Sequence, residues 1–292
     1  MNAIYKRELR SYFTGMTGAI TVAFLLLMTG IYCSVYNLRT GYPTFAVVLS
    51  GNFILSVNFV YVLVIPVLTM RSVAEERHAK TDQLLYALPL PLWKIVLAKY
   101  LAAVTVLAVP CGVMCFYPLL LGRFGNVNYA ADYGAILAFF LLGAALCAIG
   151  VFISSLTESQ VIAAVVTLGV FLLLYFMPLF APLIPDSAAA SFVICLLLAA
   201  VVGAIVKVMT KNTAVAASVA VLIAAAEALV FAAKSDLYAN AVPRALSGLA
   251  IFDRLTPFSS GLFDLTAIVF YLTCAVLFVW LTVQSMEKKR WN

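Results

Sequence analysis

The sequence predicts an all-α integral membrane protein of about eight transmembrane helices, with an N-terminal interfacial helix, a short cytoplasmic helix and short helices on the outer surface. Composition comes first. The 292 residues are 65% hydrophobic and 10% charged, whereas soluble domains run near ~45–50% apolar and ~25% charged. A chain with mean hydropathy +1.10 cannot hide so much apolar surface from water, so its solvent is lipid. Second, its apolar runs reach the roughly 20 residues that a helix rising 1.5 Å per residue needs to cross about 30 Å of hydrocarbon. Third, those runs lack the two-residue alternation of a barrel strand, leaving the helix as the element that satisfies its own backbone in lipid.

Eight stretches meet the test: Gly18–Tyr36, Asn52–Met70, Ile95–Leu121, Gly134–Ile153, Val161–Phe180, Phe192–Met209, Ala214–Ala233 and Thr266–Val283. The third is overlong and holds Pro110 and Pro118, which predicts a kink or tilt. The sixth and seventh are joined by Thr210–Thr213, enough for a tight helical hairpin. Sidedness follows the basic residues. With the N-terminus in the cytoplasm, only Arg39, Arg123, Lys234, Arg244 and Arg254 of the 18 Lys and Arg fall outside. Eight spans then return the C-terminus, with Lys288, Lys289 and Arg290, to the cytoplasm. The whole of 1–292 forms a single transmembrane domain in the cell membrane.

Several classes drop out. The net charge of +6 sits at helix ends and forms no basic and aromatic stripe, so nucleic acid is not a partner. None of the six cysteines makes a CxxC pair, and Cys111 with Cys115 has no His nearby, the lone His78 being distant; all are small buried thiols with no metal. The N-terminal segment has no cleavage site behind a short apolar core, so the first span stays as an anchor.

Three segments are not spans. In 1–14, Ile4, Tyr5, Leu9, Tyr12 and Phe13 alternate with Lys6, Arg7, Glu8 and Arg10, which suits a helix in the inner headgroup layer. In the cytoplasmic loop 71–94, Glu75 and Glu76 suit a helix start, followed by Arg77. Thr81, Leu84, Leu85 and Leu88 then form an apolar stripe that Pro89 and Pro91 stop. Such a stripe needs a membrane surface or a partner's groove. In the outer segment 234–264, Ile251, Leu255, Phe258, Leu262 and Leu265 share one face, with Thr256 as N-cap and Pro257 in the first turn of a restarted helix.

Inside the spans, Glu227 is the one acid well within a run, roughly 9 Å from its outer end. It is a candidate intramembrane polar site, and equally a hydrogen-bonded acid in a helix contact. Gly143, Ala144 and Gly150 give the fourth span a close-packing face, for a dimer seam or for intrachain packing. An ion-driven secondary transporter would need several intramembrane charges and broken helices. A polytopic membrane enzyme would need His, Asp or Glu clustered at one interface.

The same segments resemble the membrane-spanning permease subunit of ABC-2-type transporters, in the branch typified by the gliding-motility permease. The matching residues are Lys6-Arg7-Glu8-Leu9 and Ser11-Tyr12-Phe13; Glu75-Glu76-Arg77, Thr81, Leu84-Leu85, Pro89 and Lys99; Ile153 to Gln160; and Phe258, Gly261, Phe263-Asp264-Leu265, Tyr271, Leu281-Thr282 and Glu287 to Trp291. The family's minimal pattern has six spans, so the pair 192–233 is an addition. The resemblance implies that Glu75, Glu76, Arg77, Thr81, Leu84, Leu85, Leu88 and Pro89 form a coupling helix contacting a separate ATP-binding-cassette subunit. It also implies a second permease half, identical or related, and a direction of transport that is export. The chain lacks a G-x-x-x-x-G-K-[ST] loop, so ATP would be held and hydrolysed by the partner and no cofactor by this chain.

Overall fold

The computed structural model describes residues 1–41, 44–50, 56–81, 91–123, 125–183, 187–188, 191–196, 218, 221–225, 227, 231 and 241–290. All secondary structure among the described residues is helical. Six of these helices are long and apolar enough to cross a membrane: Thr17–Arg39, Val57–His78, Leu92–Leu121, Tyr129–Leu156, Gln160–Phe180 and Leu265–Lys288. They coincide with six of the eight expected spans. The remaining two, Phe192–Met209 and Ala214–Ala233, lie largely outside the described residues, so the number shown is six rather than eight.

The chain divides into two compact units, Met1–Tyr175 with Ile251–Asn292, and Phe176–Ala250. The first begins with α1 (Asn2–Thr14). Met16, at φ 59°, breaks the helix and turns the chain into α2 (Thr17–Tyr32), which a π-helical stretch, Cys33–Arg39, extends. A short helix α3 (Ala46–Ser50) precedes α4 (Val57–Thr69), and α5 (Ala74–His78) follows it. The long third span is α6 (Leu92–Met114) followed by α7 (Phe116–Leu121). The break between them sits where the sequence asks for one: Pro118 has no N–H for the carbonyl of Met114 four residues back. Then come α8 (Tyr129–Leu156) and α9 (Gln160–Phe180). Helix α8 starts a turn earlier than its hydropathy suggests, because the Asn128 side chain accepts the Ala131 amide and caps it.

Helices α8 and α4, with 78% and 72% of their apolar windows buried, form the interior of this unit. In lipid the attraction between such helices is close packing rather than water exclusion, and small residues permit it. Gly143 and Gly150 are seven residues apart on the α8 face that meets α4. A Cβ on Gly143 would lie 2.9 Å from the Tyr61 hydroxyl, and one on Gly150 would lie 2.9 Å from Cβ of Thr69. The small-residue face therefore packs within the chain. Tyr61 also stacks on Phe139 at 4.2 Å between ring centroids. At the end of the bundle remote from α1, fully buried Asp132 in the first turn of α8 accepts the Ala46 amide at 2.8 Å, which clasps α3 to α8.

The second unit contains the 3-10 turn Ala181–Leu183, a stacked Phe192–Phe231 pair at 4.6 Å and α10 (Ala241–Leu249). Back in the first unit, a 3-10 turn, Asp253–Leu255, runs into α11 (Thr256–Ser259), and α12 (Leu265–Arg290) closes the chain. Two sequence expectations change here. Thr256 is the first helical residue rather than the N-cap; Leu255 holds the cap position, and the Thr256 hydroxyl donates to Asp253 at 3.2 Å. The expected apolar stripe also divides. Ile251, Leu255 and Phe258 are buried, whereas Leu262 and Leu265 are each 66% exposed. Gly261, at φ +77°, turns the chain between the two sets, a conformation that only glycine adopts at little cost.

Candidate functional site

The described charges concentrate at one end of the first unit, where α1, α5, α6 and the end of α8 meet. Lys99 is the centre. It lies two turns into α6, only 1% exposed, and an ammonium with three protons needs three acceptors there. It finds Glu8 of α1 at 3.1 Å, Glu76 of α5 at 2.9 Å and the carbonyl of Ser72 at 2.8 Å. Arg7 closes the ring from the solvent side, donating to Glu8 at 2.8 Å and to Glu76 at 2.9 Å. Two cations and two carboxylates thus balance, as a buried charge requires.

The two cations act unequally. Arg7 is 58% exposed, so its ion pairs are weakened by water, whereas Lys99 is sealed off. Burial pushes the Glu8 carboxyl up, but the charge of Lys99 and hydrogen bonds from Arg7 and Lys99 outweigh it and hold Glu8 below its ordinary value. The Arg7 guanidinium is correspondingly raised, chiefly by its hydrogen bond to Glu8. Next to this ring, burial pushes the Tyr12 phenol well up and keeps it neutral. Tyr5 adds a further tie, its hydroxyl 2.9 Å from Thr105 Oγ1 on α6. Helix α1 therefore presents Tyr5, Glu8 and Tyr12 to the bundle, at a helical spacing of three and four. Its opposite face leaves Lys6, Arg10 and Phe13 exposed.

Helix α5 is fixed from the other side by α8. The Ser154 hydroxyl accepts the amides of Val73 and Ala74 at 3.2 and 3.1 Å and donates to the Met70 carbonyl at 3.1 Å. One hydroxyl thereby serves both the end of α4 and the start of α5, groups that a helix terminus leaves unpaired. Arg77 is buried and donates to the Ser155 carbonyl. Arg71 pairs with Glu75 through two hydrogen bonds, at 2.9 and 2.7 Å.

Of the residues that the sequence singles out in this loop, Glu75 and Glu76 do occupy the first turn of a helix. That helix ends at His78, however, and Lys80 at φ 53° turns the chain before Thr81. Glu76 and Arg77 face inward, Thr81 is exposed, and Leu84, Leu85, Leu88 and Pro89 lie outside the described residues. Glu227 belongs to the second unit, where it is half-buried. Glu8, Lys99 and Ser154 stand in the runs that carry the family resemblance, but the sequence gives none of them a role at this site. Lys99 does give a signal in the sequence: a lysine in a span-length apolar helix is costly without partners.

A family model described as ABC-2 family transporter protein matches residues 3–289. The chain belongs to the ABC-2 transporter family. No curated protein and no solved structure gives a significant match. As an ABC-2 family protein with six span-length apolar helices, the chain is a permease component of a membrane transporter. Among the described residues no group of His, Cys, Asp and Glu is arranged to hold a metal ion, and the six cysteines are free thiols.

Proposed function

We propose that this ABC-2 permease is the membrane half of an ATP-driven exporter of the gliding-motility-permease-like branch, working with a second permease half and separate ATP-binding subunits. In this reading loop 71–94 faces the cytoplasm, as do both termini, and the segment 81–89 docks on the ATPase. The Lys99 ring is the observation that supports it. A displacement of the docked segment moves α5, and α5 is tied by Glu76 to α6, by Arg77 and Ser154 to α8, and through Glu8 to α1. Force applied at one loop thus reaches α6 and the interior helix α8 through short, charged or buried contacts, with little slack for soft side chains to absorb. The inward placement of Glu76 and Arg77 assigns them to transmission, and leaves Thr81, Leu84, Leu85 and Leu88 as the face offered to the partner. ATP is bound and hydrolysed in trans.

Replacing Leu84 and Leu85 with Asp is expected to detach a co-expressed ATPase subunit during purification while the melting temperature of the permease stays unchanged. Continued co-purification with ATP-coupled transport intact refutes the docking assignment. Orientation has its own test. A cysteine replacing exposed Ser260 should react with an impermeant maleimide from outside intact cells, and one replacing exposed Glu158 only after the membrane is opened. The reverse pattern inverts the topology.

A further inference from the structure

The lipid-facing side of α6 and α8 carries a groove that the transmission reading does not use. Gly112 forms part of its floor, and a Cβ there would meet nothing within 4 Å. Cys115 continues that side, and Leu137 and Phe140 of α8 form the other, giving a space of about 290 Å³ with almost wholly apolar walls. An apolar cavity of ~150 Å³ accepts a benzene ring, so this one has room for a length of hydrocarbon chain.

Polarity changes in one direction along the groove. At the end away from α1, the Tyr133 hydroxyl donates to the Cys115 carbonyl at 3.3 Å. One turn beyond, Tyr129 stands against Gly122. Next comes Arg123, exposed and with no ion-pair partner among the described residues, roughly 12 Å along the chain from Cys115. A cation, then phenolic hydroxyls, then an apolar slot is the order of an anionic headgroup, its ester region and its tail. Aromatic hydroxyls mark the depth of that boundary in membrane proteins generally.

We infer that this groove holds one phospholipid of the leaflet remote from α1, with an acyl chain over Gly112 and an anionic headgroup on Arg123. The single charge accounts for a preference by headgroup, and the slot for retention of the tail.

Native mass spectrometry of the full chain, released from nanodiscs of equal phosphatidylglycerol and phosphatidylcholine, tests it. The wild type should retain one phosphatidylglycerol. Gly112→Leu fills open space, so it should fold with unchanged circular dichroism while retention falls about tenfold. Leu137→Trp, closing the slot from its exposed opposite wall, should do the same. Arg123→Gln should keep a lipid but bind both headgroups equally. Undiminished retention in both groove variants overturns the proposal, as does a wild type indifferent to headgroup. Conversion of a dimer to a monomer by Gly112→Leu, with lipid unchanged, would assign the groove to a second copy instead and equally overturn it. The assay contains neither nucleotide nor ATPase subunit, so its outcome is separate from that of the transport reading.

Discussion

Gly150→Leu is expected to unfold the interior of the bundle at a markedly lower temperature than the wild type. The side chain it would meet is Thr69, fully buried, β-branched and held by its own hydrogen bond to the Ile65 carbonyl at 2.9 Å. A branched side chain so fixed has few rotamers into which to retreat. Two effects oppose each other. Replacing a helical glycine gains up to about 1 kcal/mol of helix propensity, while overpacking a filled interface costs about 1–3 kcal/mol. For Gly150→Ala the overlap already outweighs the gain, because the added Cβ itself would run into Thr69; for Leu the three further carbons enlarge the deficit. A thiol-reactive dye that reads the exposure of Cys147, buried on the same helix, gives the melting temperature. Thr69→Ala combined with Gly150→Ala should recover stability relative to Gly150→Ala alone, because neighbours in contact do not add. An unchanged melt for Gly150→Leu would show that α4 and α8 do not approach as closely as the structure has them.

The second large effect is expected from Lys99→Met. It keeps the length of the side chain but leaves Glu8 and Glu76 facing each other with only the half-exposed Arg7. Removing one partner from a buried ion pair costs about 3–5 kcal/mol, enough to release α1. Amide exchange across 2–14 should then rise while α8 stays protected, and transport should fall. Unaltered exchange in α1 would mean that the ring does not hold the helix. Acid provides an independent reading. Because Glu8 titrates below its ordinary value of ~4.3 when α1 is docked, its contribution is complete at neutral pH and is lost only as the pH falls below about 4. Loosening of α1 at pH 5–6 would contradict that sign.

Much of the fold was legible because lipid imposes a simple rule on sequence. Six apolar runs became six helices, and Pro118 foretold the break before Phe116. Gly143 and Gly150 announced a close contact, although only the structure names Tyr61 and Thr69 as the surfaces met. What stayed hidden depends on separation along the chain. Glu8 reads as one more headgroup-level charge until Lys99, 91 residues away, is brought against it. Ser154 lies in the last turn of α8, in a run that carries the family resemblance without giving the residue a task, and its hydroxyl gains meaning from amides 80 and 81 residues distant. Local signals failed where backbone geometry intervened. The positive φ of Gly261 ended an apolar stripe that periodicity alone would have continued to Leu265, and the helix that Glu75 and Glu76 open ends at His78.

The distance between Glu8 and Lys99 also sets a timetable for biogenesis. At ~5–20 residues per second, synthesis of the intervening 91 residues takes on the order of 5–20 s. Throughout that interval the carboxylate of Glu8 lacks the ammonium of Lys99, while exposed Lys6, Arg10 and Phe13 suit the helix to a bilayer surface. Only the third hydrophobic helix carries its berth, so this docking waits until about the first third of the chain has been made.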